Sequence, residues 1–97
     1  MPAYIVYQAE VHDPDQYAKY IAEAGPAVTA AGGRYLVRGG AVEVLEGEPP
    51  QGRTVLIEFP TMEQAVTFFR GEEYSRIKEL RLPAANARSY VVDGWAG

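Results

Sequence analysis

From Tyr4 to Val11 the chain is rich in β-branched and aromatic residues, and polar side chains enter at alternate positions toward its end. This pattern predicts a strand. His12-Asp13-Pro14 stops it. Asp13 is a favourable helix N-cap, and Pro14 suits the first helical position, where no backbone N–H is needed. Tyr17, Tyr20, Ile21, Ala24, Val28 and Ala31 then recur on one helical stripe. Gly25-Pro26 falls inside that stretch and predicts a kink or a short second segment. Gly32-Gly33 closes the helix. Arg34 to Arg38 reads as a second strand, Gly39-Gly40 as a bulge, Val42 to Glu46 as a strand extension, and Gly47 to Gly52 as a loop. Arg53 to Phe59 is the third strand. Pro60 ends it and Thr61 caps a second helix with Met62, Ala65, Val66 and Phe69 on its apolar side. Gly71 breaks this helix. Glu72 to Leu82 resumes it, with Tyr74, Ile77 and Arg81 on one side, as far as Pro83. Ser89 to Trp95 is the last strand.

The order β-α-β-β-α-β is that of an α+β, ferredoxin-like fold: an antiparallel sheet with its helices on one face. At 97 residues the chain makes a single domain, 1–97. Strand parity assigns Ile5, Tyr7, Ala9, Tyr35, Val37, Val55, Ile57, Phe59, Tyr90 and Val92 to the helix side. The opposite face carries Tyr4, Val6, Gln8, Glu10, Arg34, Leu36, Arg38, Leu56, Glu58, Val91, Asp93 and Trp95. A face open to water would be more uniformly polar. This mixture predicts a covered face, and the apolar patch of Val6, Leu36, Leu56, Val91 and Trp95 predicts a homodimer.

Composition narrows the chemistry. The net charge is −4 and the nine basic residues are scattered, so no face neutralises a phosphate backbone and nucleic acid is not an expected partner. Cysteine is absent and His12 is the single histidine. Thiolate chemistry is thereby excluded, and neither a metal nor another cofactor is expected. No apolar run reaches the ~20 residues of a membrane span. The N-terminus enters a strand pattern directly, so a cytoplasmic location is expected.

Three stretches carry a resemblance: Gly-Gly-Arg-Tyr-Leu-Val-Arg-Gly-Gly (32–40), Glu-Val-Leu-Glu-Gly (43–47) and Glu-Phe-Pro-Thr (58–61). Asp13-Pro14 with Tyr17, and Glu73-Tyr74 with Arg81, extend it over nearly the whole chain. The sequence resembles the family called domain of unknown function 1330. The resemblance implies a dimeric α/β barrel with a ferredoxin-like fold, and no particular reaction. Members often carry an aromatic pair followed by Ser-Pro-Glu-Tyr, whereas Phe68-Phe69-Arg70-Gly71-Glu72-Glu73-Tyr74 stands here. A hydroxyl at position 69 or 71 therefore has no role in this chain.

The candidate catalytic residues are Arg38, Glu58 and His12. Parity places Arg38 and Glu58 on the mixed face of adjoining strands, where a guanidinium beside a carboxylate holds a substrate acid and orients a proton-transfer group. A structural ion pair is the plain alternative. His12, at a strand end, is the side chain that titrates near neutrality, although an exposed loop histidine is the commoner case. Tyr17, Tyr20, Phe68, Phe69 and Tyr74 form an aromatic set that is either core or pocket wall. Tyr17 and Tyr74, whose hydroxyls need partners when buried, are candidate ligand-binding residues, with Arg81 as an anion contact. Two functions fit. One is a cofactor-independent enzyme of isomerase, cyclase or monooxygenase type acting on a small organic acid or aromatic molecule. The other is a non-catalytic small-molecule-binding or assembly module.

Overall fold

A computed structural model describes all of residues 1–97. The elements are β1 (Ala3–Val11), α1 (Pro14–Ala30), β2 (Arg34–Arg38), β3 (Arg53–Phe59), α2 (Met62–Arg70), α3 (Glu72–Arg81) and β4 (Ala85–Asp93). The four strands form one antiparallel sheet in the order β2-β3-β1-β4. The helices cover one of its faces, which is the ferredoxin-like arrangement. No helix is long and apolar enough to cross a membrane.

The caps form as the sequence predicts. The Asp13 carboxylate accepts from the Gln16 backbone N–H at 3.1 Å, and the Thr61 hydroxyl accepts from the Gln64 N–H at 3.1 Å. Each satisfies one of the orphan donors of a helix start. α1 continues through Pro26 as a single element, so no second segment forms. Gly71 separates α2 from α3, as expected.

The core lies between the helices and one side of the sheet. Ile5, Tyr7 and Ala9 of β1 and Val55, Ile57 and Phe59 of β3 are all buried, as their alternation requires. Val28 and Ile77 reach them from α1 and α3, and Phe59 and Ala65 have no exposed surface.

Four expectations are corrected. The bulge lies within β2 rather than at Gly39-Gly40: Tyr35 pairs with Ile57 and Val37 with Leu56, so Leu36 is an extra residue on that strand. Beyond it every side chain changes side. Val37 therefore faces Leu56 on the open face, and Arg38, opposite Val55, moves to the helix side. Second, residues 42–46 form no strand. Third, β4 starts at Ala85 instead of Ser89, because Ala85 and Ala87 pair with Val11 and Ala9 along the full length of β1. Fourth, the parity of β4 is reversed. Val91 lies opposite buried Ile5, while Tyr90 and Val92 lie opposite Val6 and Tyr4 on the open face.

Candidate functional site

The bulge at Leu36 decides which charges meet. Arg38, turned to the helix side, lays its guanidinium over the Tyr35 ring at 4.4 Å. Glu58 stays on the other face and pairs with Arg34 at 3.0 Å. The structure thus separates Arg38 from Glu58, and the expected ion pair does not form. His12 is exposed beyond the end of β1, where its backbone N–H donates to the Ala84 carbonyl at 2.9 Å. It borders none of the clefts described below.

Tyr17, Tyr74 and Arg81 do come together. β1 and α1 supply Tyr7 and Tyr17, whose hydroxyls are 2.9 Å apart and buried. α1 and α3 supply Tyr20 and Tyr74, paired at 2.7 Å. Two hydroxyls hold two hydrogens and their mutual bond uses one, so each pair retains one O–H free to donate elsewhere. The Arg81 guanidinium stands 5.8 Å from the ring centres of both Tyr7 and Tyr20. These rings border a cleft of about 400 Å³, counted with its open mouth. Tyr35, Ile57 and Phe69 complete its apolar wall, and Arg38 and Arg53 are the charged side chains lining it. The enclosed part is narrow, with room for a water or two.

The electrostatics of this cleft are one-sided. Its walls bear two guanidiniums, a third lies behind its tyrosines, and no carboxylate lines it. The two ion pairs of the molecule, Arg34–Glu58 and Arg76–Glu23, lie elsewhere. The Nε atoms of Arg53 and Arg81 are buried without a hydrogen-bond partner. Such unmet donors are uncommon in native interiors. Burial opposes the Arg81 charge, but the oxygens of Tyr74, Tyr7 and Tyr20 outweigh it and hold its pKa above the ordinary value. Burial first, then the paired hydroxyls, pushes Tyr7 and Tyr20 well above the usual tyrosine range. Both therefore stay neutral at any ordinary pH and act as hydrogen-bond donors, not as bases. Cation and O–H donor are both present in the cleft, and neither His12 nor Glu58 is there to remove a proton. In chemical terms such an arrangement suits an oxyanion.

Two glycines make room for the arginines. A Cβ at Gly25 would stand 3.1 Å from Arg38 Nη2. Gly39 has a φ of +73°, and a Cβ there would stand 2.9 Å from Arg53 Nη2. The Gly39 N–H donates to the Thr54 carbonyl at 2.9 Å, holding that turn against β3. The sequence reading did not single out Tyr7, Tyr35 or Arg53 for the site. A signal was present in the excess of tyrosine over phenylalanine, seven against three, since buried hydroxyls have to be used. No group of three or more His, Asp or Glu side chains is placed to share a metal ion.

The β2-β3-β1-β4 antiparallel sheet with helices over one face makes this a ferredoxin-like protein. Residues 2–95 match the family model described as "Domain of unknown function (DUF1330)", and the chain belongs to that family. No curated protein sequence matches it. Among solved structures it is similar to a protein of unknown function from Rhodopseudomonas palustris, with a TM-score of 0.72 and 20% identity over 99% of this chain and 84% of that one. It is also similar to SnoaB, a cofactor-independent oxygenase from Streptomyces nogalater, at a TM-score of 0.68 and 10% identity over 99% and 95% of the two chains. A dimeric ferredoxin-like protein of unknown function from Thermobifida fusca has a TM-score of 0.61 and 12% identity, over 95% and 90%.

Proposed function

We propose that the chain binds a small organic acid with a flat apolar body in the tyrosine-lined cleft, and that it works as a homodimer. The observation that carries the first part is the convergence of Arg38, Arg53 and Arg81 on five tyrosines with no carboxylate beside them. The Nε–H groups of Arg53 and Arg81 are buried without an acceptor, and a bound anion supplies one. The rings of Tyr17, Tyr35 and Phe69 offer a planar ligand an apolar wall in the cleft's open mouth, while the free tyrosine O–H groups are directed to its oxygen. A reaction promoted here is one of a substrate oxyanion whose proton has already gone to water: cyclisation of a bound enolate, or oxygenation of an electron-rich ring with dioxygen as the oxidant. Arginine and neutral tyrosine stabilise that charge, and the substrate arrives already ionised because the cleft offers no base. The similarity to a cofactor-independent oxygenase supports this class of chemistry.

The homodimer reading rests on the open face of the sheet. Tyr4, Val6, Leu56, Tyr90 and Val92 share it, and Tyr90 and Val92 are 63% and 47% exposed. Monomers rarely leave so continuous an apolar area in water, and a similar fold in Thermobifida fusca is dimeric. The binding reading is tested by calorimetric titration with benzoate and with benzyl alcohol, its neutral analogue. Benzoate alone should bind. Equal binding of both, or of neither, overturns the proposal.

A further inference from the structure

The tyrosine-lined cleft shares a wall with a second cleft. Phe69 lines both. The second runs under α2 toward β4 and is walled by Ile5, Ala65, Val66 and Val91, with Arg70 and Ser89 as its polar members. It measures about 490 Å³ with its open mouth, and its interior has several times the room of the first. Ile5 and Tyr7 lie two residues apart on the same side of β1, so the floor of one cleft continues into the floor of the other. Between them stands the half-buried Phe69 ring, 4.4 Å from the Tyr74 ring and 5.3 Å from Phe68.

The two clefts divide the work that recognition of an amphipathic acid requires. The first concentrates the charges and hydroxyls but has little interior space. The second has space and apolar walls. Ligand sites are mostly apolar with a few placed polar groups, and here those properties lie on either side of one phenyl ring. We infer that the second cleft is the apolar subsite of the same binding site. The ligand class is an aromatic acid bearing an alkyl chain or a second ring, with its carboxylate or enolate toward Arg38, Arg53 and Arg81 and its apolar end past Phe69. Phe69 sets how long that end is. This inference rests on the anion reading of the first cleft.

The test is a calorimetric series of benzoate, 4-ethylbenzoate and 4-butylbenzoate. Each methylene buried in the second cleft raises affinity by about fourfold. Val66→Phe, which fills that cleft, should flatten the series. Phe69→Leu, which lowers the partition without adding volume, should steepen it and keeps the test available if Val66→Phe does not fold. Arg81→Met should weaken all three acids by the same factor. A flat series in the unmodified protein, with benzoate still bound, overturns the apolar subsite and leaves the anion reading standing. Loss of every member, benzoate included, overturns both. If Arg81→Met weakens benzoate but spares 4-butylbenzoate, the second cleft binds independently and the shared-site inference fails.

Discussion

On the open face of the sheet Arg34 meets Glu58 at 3.0 Å and Arg88 donates to the Gln8 side-chain oxygen at 3.0 Å. On the helix-covered face the Nε atoms of Arg53 and Arg81 have no partner, and the ring centres of Tyr7 and Tyr20 stand 5.8 Å from the Arg81 guanidinium. Arginine on the open face is satisfied within the chain. On the covered face two guanidinium Nε atoms are left without a partner in the chain. The hydrophobic positions differ in the same way. Those under the helices are closed over, with Phe59 at 0% exposure, while Tyr90 and Val92 on the other side remain accessible. A sheet with one finished face and one unfinished face fits an assembly surface on one side and a ligand cleft on the other.

The largest expected effect lies in the finished core. Phe59→Ala removes a fully buried ring packed 5.8 Å from Phe68 and should cost about 3–5 kcal/mol in urea unfolding. A loss under 1 kcal/mol would mean that the core is not packed as described. On the open face, Leu56→Asp places a charge between Val6 and Val37. Light scattering should then give half the mass of the unmodified protein, with the far-ultraviolet dichroism retained. An unmodified protein that is monomeric at micromolar concentration would contradict the dimer.

The tyrosines give a pH signature. The folded-state pKa values of Tyr7 and Tyr20 lie above the ordinary value of about 10. The folded protein therefore keeps protons that the unfolded chain releases. Their contribution to stability is fully present below about pH 10 and is lost as the pH climbs from there through the folded-state values. The loss should reach about 1.4 kcal/mol per pH unit for each tyrosine. Urea unfolding at pH 8, 9.5 and 11 checks this, and stability that does not change across that range would contradict it. The smallest effect is expected at Arg34→Met. The pair it breaks is mostly exposed on the arginine side, at 70%, so the loss should stay within about 1 kcal/mol.

The element order was legible because its punctuation is strong. Asp13-Pro14, Pro60-Thr61 and Gly71 each carry a local physical instruction, and β1 and β3 alternate cleanly enough to reveal their buried sides. β4 was not legible. It contains Tyr90-Val91-Val92, so both parities offer an apolar side chain, and only pairing with β1 decides which faces inward. β2 was harder still. In the five residues Arg-Tyr-Leu-Val-Arg a one-residue bulge leaves no mark on the alternation, yet it moves Arg38 from one face to the other. The expected Arg38–Glu58 partnership failed for that reason. That the Tyr17 and Tyr74 hydroxyls find partners was recoverable from residue chemistry alone, since hydroxyls on a helical core stripe require them. Arg53 was not, because its place in the cleft depends on the turn at Gly39.

The central claim is that the covered-face arginines await an anion whereas the open-face arginine does not. Calorimetric titration of benzoate into Arg53→Met, Arg81→Met and Arg34→Met tests it most directly. A charged hydrogen bond contributes roughly 1.5–3 kcal/mol, so the first two substitutions should each weaken binding by about tenfold to a hundredfold. Their urea midpoints should hold or rise, since no carboxylate is left stranded. Arg34→Met should bind as the unmodified protein does. Equal affinity across all three variants, or lowered urea midpoints of Arg53→Met and Arg81→Met with no change in benzoate affinity, would contradict the account.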